Sequence, residues 1–206
     1  GVIPLVGICR NRKFSNGTIL FFSITYLCCA ELIGPCFYDF HENAFLPMLL
    51  MWFFYAVEKK KYVLMYIMTA LLLIVKEDVS IYMVLLGLFC IFRLEKRYHG
   101  AVITGFSGVY FVVVTRLMEK YGEGVFTSRT YGNLMTDKSA SFGNIIKTVI
   151  TDPMYFITQC VDEKDFKLML IIMIPLFFLP FVTKHFSHYF LLAPFILMNL
   201  APGYGY

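Results

Sequence analysis

The sequence predicts an all-α protein: a polytopic helical transmembrane bundle forming one membrane domain over residues 1–206. Three observations carry this. Hydrophobic residues make up 59% of the chain and charged ones 16%, where a soluble domain holds about 45–50% apolar and about 25% charged residues. The apolar residues fall in seven blocks instead of being dispersed over helix faces, more than one soluble core of this size usually hides. Short clusters of Lys and Arg separate the blocks on one side only, once the spans are allowed to alternate.

Residues 1–8, "GVIPLVGI", read as the tail of an earlier span. They lack the basic n-region of a signal peptide, and the chain reads as a piece of a longer protein. Seven spans are then expected near 17–34, 43–58, 61–75, 79–93, 100–116, 167–183 and 187–200. A crossing needs roughly 20 predominantly apolar residues and about 17 at the least. Several blocks fall short alone, and flanking aromatic and small residues extend them. Residues 117–166 form an outer loop. Within it Phe142, Ile145, Ile146, Val149 and Ile150 share one helical face. They predict a short amphipathic helix near 141–151 that lies on the outer leaflet or packs on the bundle. Asp152-Pro153 ends it, and "MYFITQCV" (154–161) reads as a second such helix.

Alternation places "RNRK" (10–13), "EKKK" (58–61), "RLEKR" (93–97) and "TKH" (183–185) on one side, with ten basic residues against two acidic. The other side holds eight basic and eleven acidic residues, with Glu31 left inside a span. Lys and Arg concentrate in short cytoplasmic loops. The expected location is therefore the cell membrane, multi-pass, with the basic loops cytoplasmic and 38–44, 76–78 and 116–166 facing outward. Asn16-Gly17-Thr18 fits the glycosylation pattern but falls on the cytoplasmic side.

Two charged clusters interrupt the outer face. In "YDFHENAFLPMLL" (38–50), Asp39, His41 and Glu42 stand where a helix begins. Asp39 as N-cap and Glu42 three residues on would make a capping box, which leaves His41 unexplained. In "LLLIVKEDVSIYMV", Lys76, Glu77 and Asp78 turn the chain between two apolar blocks without Gly or Pro. Capping is again the plain reading, with Lys76 ending one helix and Asp78 starting the next. Ionisable residues at a membrane also point to function, and consecutive helices carry these two clusters. All six side chains can meet in one pocket. Carboxylates with one imidazole suit a divalent metal such as Mn²⁺ or Mg²⁺ on Asp39, His41 and Glu42. Lys suits a phosphate, and a carboxylate can act as general base on a hydroxyl. Together they point to transfer from a phosphate-linked donor.

Other chemistries lack support. Cys9, Cys28, Cys29 and Cys90 lie in or beside spans, which leaves Cys36 and Cys160 outside them. No Gly-rich phosphate loop, C-x-x-C pair or Ser/His/Asp arrangement is visible, and nothing favours nucleic acid.

"YDFHENAFLPMLLMWFFYAVEKKKY", "LLLIVKEDVSIYMVLLGLFCIFR", "SRTYGNL" and "PLFFLPFVTKHFSHYFLLAPFILMNL" follow one another in this order. In that order they resemble the bacterial and archaeal membrane family called domain of unknown function 2079. The DFH and KED elements are the specific parts. That family is in turn similar to the glycosyltransferase C superfamily, multi-span enzymes that take sugars from polyprenyl-phosphate donors. The resemblance implies a glycosyltransferase C-like fold, with Asp39, "EKKK" and Lys76 at the places of its acidic residue, basic cytoplasmic turn and Lys-containing outer turn. Taken with the residue reading above, the expected catalytic residues are Asp39, Glu42, Glu77 and Asp78, and the expected substrate contacts are His41, Lys76, Arg129 and Tyr131. The superfamily also carries an acidic residue in its first outer loop. Either this chain is the later part of a longer protein, or the resemblance departs at that point.

The expected activity is thus sugar transfer from a polyprenyl-phosphate donor at the extracytoplasmic face, with the bilayer and the lipid-linked sugar as partners. Two alternatives stay open: a transporter or lipid flippase using the same charges as a path, and a non-catalytic membrane subunit in which both clusters only cap helices.

Overall fold

The computed structural model describes residues 1–29, 32, 42–94, 96–121, 151, 152, 154, 155, 158, 167, 170, 173, 174, 178, 182 and 184–191. Among these residues the secondary structure is helical throughout, without a strand. Helix α1 spans Val2–Asn11 and α2 Asn16–Leu27. A 3-10 turn, Glu42–Phe45, runs directly into α3, Leu46–Glu58. Then come α4, Tyr62–Val75; α5, Val79–Phe92; and α6, Arg97–Tyr121. A further 3-10 turn covers Phe186–His188.

Local chemistry sets several of these boundaries. Ser15 caps α2 by accepting the Thr18 N–H at 3.2 Å, as an N-cap serine does. Thr18, the last residue of the glycosylation pattern, instead meets the Ser15 hydroxyl at 2.8 Å. Pro47 stands in the first turn of α3, where its missing N–H leaves no helix bond unmade. Helices α1 and α3 end alike. Lys13 and Lys60 both take φ of 56°, while Phe14 N–H reaches back to Cys9 C=O and Lys61 N–H to Ala56 C=O. Glycine usually holds that left-handed position; here two lysines do.

The core lies between α3, α4, α5 and α6. Phe53, Ala56, Met65, Leu72, Leu73, Met83, Leu86 and Ile103 are buried there. Helices α5 and α6 approach most closely, because Gly87 faces Gly100. A Cβ at Gly87 would stand 2.8 Å from the Thr104 nitrogen and 2.9 Å from Gly100 C=O. One at Gly100 would stand 2.7 Å from Gly87 C=O. Small residues that let backbones touch are the usual means of pairing helices in lipid, where no hydrophobic force drives them together.

The outward faces are apolar too. Val63, Ile67, Leu71 and Ile74 form an exposed stripe along α4, and Val102, Phe106, Val109, Val113 and Leu117 another along α6. Helix α2 buries none of its residues. A soluble amphipathic helix would show polar residues there. Among the described residues α6 is the one helix long and apolar enough to cross a membrane, over Arg97–Met118. The other helices run 10–14 residues. At 1.5 Å per residue the longest of them reaches about 21 Å, against a hydrocarbon core of about 30 Å.

The alternating turns gather at two ends. At one end Arg12 grips Glu58 through two bonds of 2.9 and 2.8 Å, with Asn11 donating to the same carboxylate. The adjoining Tyr62 stacks on His99 at 3.7 Å and accepts from Lys96 at 3.2 Å. Arg93 in turn donates to His188 at 3.2 Å. These contacts tie the turns at 10–13, 58–61, 93–97 and 184–188 into one basic end. The other end holds the 3-10 turn before α3 and the turn at 76–78.

Candidate functional site

The three-residue turn Lys59–Lys61 folds α3 and α4 back on each other, so the start of α3 and the end of α4 share one end of the bundle. The 3-10 turn Glu42–Phe45 accordingly touches α4. Glu42, expected as base or metal ligand, is the first residue of that turn and is exposed. Asp39 and His41 lie outside the described residues, and so do Arg129, Tyr131, Glu31 and residues 141–150 of the expected amphipathic helix.

The second cluster is described in full. Lys76 ends α4 in an extended conformation, with φ of −159° and ψ of 149°. Its ammonium lies 3.4 Å from the Asp78 carboxylate. Glu77 C=O accepts the Ser80 hydroxyl at 2.5 Å. Val79, Ser80 and Ile81 N–H bond back to the carbonyls of Lys76, Glu77 and Asp78, which tightens the first turn of α5. The capping positions are as expected, with Lys76 the C-cap of α4 and Asp78 the N-cap of α5. Asp78 stands at the N-cap position, but its side chain makes no cap bond to the second or third helical residue. Its backbone is already helical there, φ −69° and ψ −24°, and its carboxylate meets Lys76 and accepts the Val79 N–H at the helix start. Burial raises the Asp78 carboxyl above the usual range; Lys76 pulls it down, and the neighbouring Glu77 pushes it up again.

The expected metal group is described only at Glu42, and among the described residues no three His, Cys, Asp or Glu side chains come together. Cys9, Cys28, Cys29 and Cys90 are free; Cys36 and Cys160 lie outside the described residues.

Asp152, expected to end a helix whose residues 141–150 lie outside the described ones, has a contact with the residues that follow it. Its carboxylate accepts the Tyr155 N–H at 3.0 Å, and Met154, Tyr155 and Thr158 are helical. With Pro153 next to it, Asp152 is placed to start the following segment.

One cluster escaped the sequence. Between α4 and α6, at the basic end, the Tyr66 hydroxyl meets His99 Nδ1 at 2.6 Å while Tyr62 covers the same ring. Tyr62 and Tyr66 lie 33 or more residues from His99, and no local spacing announces the encounter.

A family model described as "Predicted membrane protein (DUF2079)" matches residues 1–206. No curated protein and no solved structure matches the chain.

Proposed function

The chain belongs to the DUF2079 family of predicted membrane proteins, and from that premise we propose that it is a lipid-linked sugar transferase acting at the acidic end of the bundle. The observation that carries this reading is the placement of Glu42 and of Lys76, Glu77 and Asp78 on turns at one end, with the Lys76–Asp78 pair at 3.4 Å beside them. Charges along a transport path would sit near mid-depth. Among the described residues, Asp, Glu, Lys and Arg instead lie in turns or near helix ends.

In this reading the bundle crosses the membrane several times. The short helices reach across with their flanking turns, since mismatch is met by local thinning and by snorkelling side chains. The basic end faces the cytoplasm, and the acidic end faces outward.

The Asp39 or Glu42 carboxylate takes the proton of the acceptor hydroxyl. The hydroxyl oxygen bonds to the anomeric carbon of the sugar. The bond from that carbon to the phosphate oxygen breaks, and its electron pair leaves with the polyprenyl phosphate. Lys76, released from Asp78, meets the phosphate charge. Glu77 and Asp78 complete the polar pocket, and Arg129 and Tyr131 shape the acceptor side. Asp39, His41 and Glu42 would hold a Mn²⁺ or Mg²⁺ ion, an oxygen-rich set of the kind such cations take. When bound, the ion would neutralise phosphate charge.

The test is transfer from a polyprenyl-phosphate sugar by the full-length purified protein, with Asp39→Asn, Glu42→Gln and Lys76→Gln as variants. Wild-type transfer that all three variants retain would refute the site. No transfer from any such donor would refute the activity.

A further inference from the structure

Away from the acidic end, an open groove of about 390 Å³ runs between α1 and α3, within the about 300–1,000 Å³ range of small-ligand sites. Its walls are mostly apolar, with Ile3, Val6, Trp52 and Tyr55 among them, and Arg10 stands at its edge. Gly7 makes room for its floor: a Cβ there would stand 2.6 Å from the Tyr55 ring. Trp52 holds Tyr55 edge-on at 5.5 Å. The Lys61 ammonium sits 5.7 Å from the Tyr55 ring centre.

The groove therefore has an apolar length and a cationic mouth. The adjoining turns at 10–13 and 58–61 carry Arg10, Arg12, Lys13, Lys59, Lys60 and Lys61, and their one carboxylate, Glu58, is taken by Arg12. Lys59 bonds to the Asn11 amide oxygen at 2.7 Å, a neutral partner. Positive charge is left over at the mouth. The left-handed backbone at Lys13 and Lys60 holds a charged side chain where glycine would sit with less strain. Apolar surface ending in uncompensated cations complements one kind of molecule, an amphiphile with an acyl chain and an anionic head.

We propose that the groove between α1 and α3 binds an anionic phospholipid of the surrounding leaflet, its chain along Ile3, Val6 and Trp52 and its phosphate at Arg10 and Lys61. The site lies at the opposite end from the proposed transfer chemistry, and requires only that the chain sit in a bilayer. A neutral phospholipid fills the same groove without the charge gain. Each basic residue near an anionic headgroup is worth about a five-fold change in binding.

Native mass spectrometry of the full-length purified protein, given phosphatidylglycerol or phosphatidylcholine of the same chains, reads this directly. Phosphatidylglycerol should be retained in preference. Arg10→Gln and Lys61→Gln should each weaken its retention about five-fold. Lys184→Gln, at the same end but outside the groove, should leave it unchanged. Ile3→Trp, at a position 77% exposed and so harmless to the fold, should block the groove and remove the retained lipid. Equal retention of the two lipids overturns the proposal. So does a Lys184→Gln effect equal to that of Arg10→Gln, which would mean diffuse surface charge. A photo-crosslinker at Ile3 that captures polypeptide instead of lipid would assign the groove to another part of the protein or to a second copy, and would overturn it as well.

Discussion

Asp78 is under opposed demands. Burial makes its ionised form costly and lifts its carboxyl above the usual value, while Lys76 at 3.4 Å offsets part of that cost. A raised carboxyl binds its proton more tightly in the folded state, so this group's contribution to stability falls as pH rises from the ordinary Asp range, about 3.9, through the folded value. Asp78→Asn removes the penalty. It should keep thermal stability in detergent within about 1 kcal/mol of wild type, the scale of a partly exposed pair, while abolishing transfer. A large loss of stability would make Asp78 a structural residue. Glu58 behaves in the opposite sense. The Arg12 bonds hold its carboxyl below the usual range against the effect of burial, so its stabilisation is present above about pH 4.3 and is lost as pH falls through the folded value. Melting curves from pH 3 to 7 should show a steeper acid loss for wild type than for Glu58→Gln; parallel curves would dismiss the Arg12–Glu58 link. The opening motif has its own test. Asn caps a helix about as well as Asp, so a capping role predicts a silent Asp39→Asn and a silent His41→Ala. A site predicts losses of about 10²–10⁴-fold in rate with the fold intact, and that is the expected outcome.

At the scale of elements, the α5–α6 pair bears most on the architecture. Gly87 and Gly100 bring two backbones so close that a Cβ on either would stand 2.9 or 2.7 Å from the other's carbonyl oxygen. Gly87→Ala puts its methyl against Thr104 and the Gly100 carbonyl, and these cannot yield without parting the helices. Overpacking of this kind costs about 1–3 kcal/mol, and Gly100→Ala should cost as much. Gly105, with open space around its added Cβ, is the control: Gly105→Ala should be neutral or slightly stabilising, since Ala favours helix over Gly. Thermal melts of the three variants in one detergent would settle it, and equal behaviour of all three would refute the close packing.

For the whole molecule, the arrangement of the turns makes the clearest statement. Arg12–Glu58, Lys96–Tyr62 and Arg93–His188 join four basic turns at one end. If that end is cytoplasmic, cysteines at Lys60 and at Ser139, each in a Cys-free background, should label from opposite sides of the membrane. Labelling of both by an impermeant reagent on intact cells would overturn the orientation.

The sequence by itself determined the class and the family. Apolar blocks broken by charge are a one-dimensional pattern, and so are the DFH and KED elements; neither needs a partner from elsewhere in the chain to be recognised. The Ser15 cap on Thr18 acts over only three residues and was open to a local rule, but it was not read from the sequence. The tertiary structure alone decided which distant residues meet. Arg12 reaches Glu58 across 46 positions and Tyr66 reaches His99 across 33, and no spacing rule covers such distances. It also decided where Asp78 points. Sequence makes Asp a natural cap, and Asp78 takes the cap position, but it has helical backbone angles there and its carboxylate is shared between Lys76 and the Val79 N–H. Composition names the groups available, and only the packed backbone sets the distances at which they act.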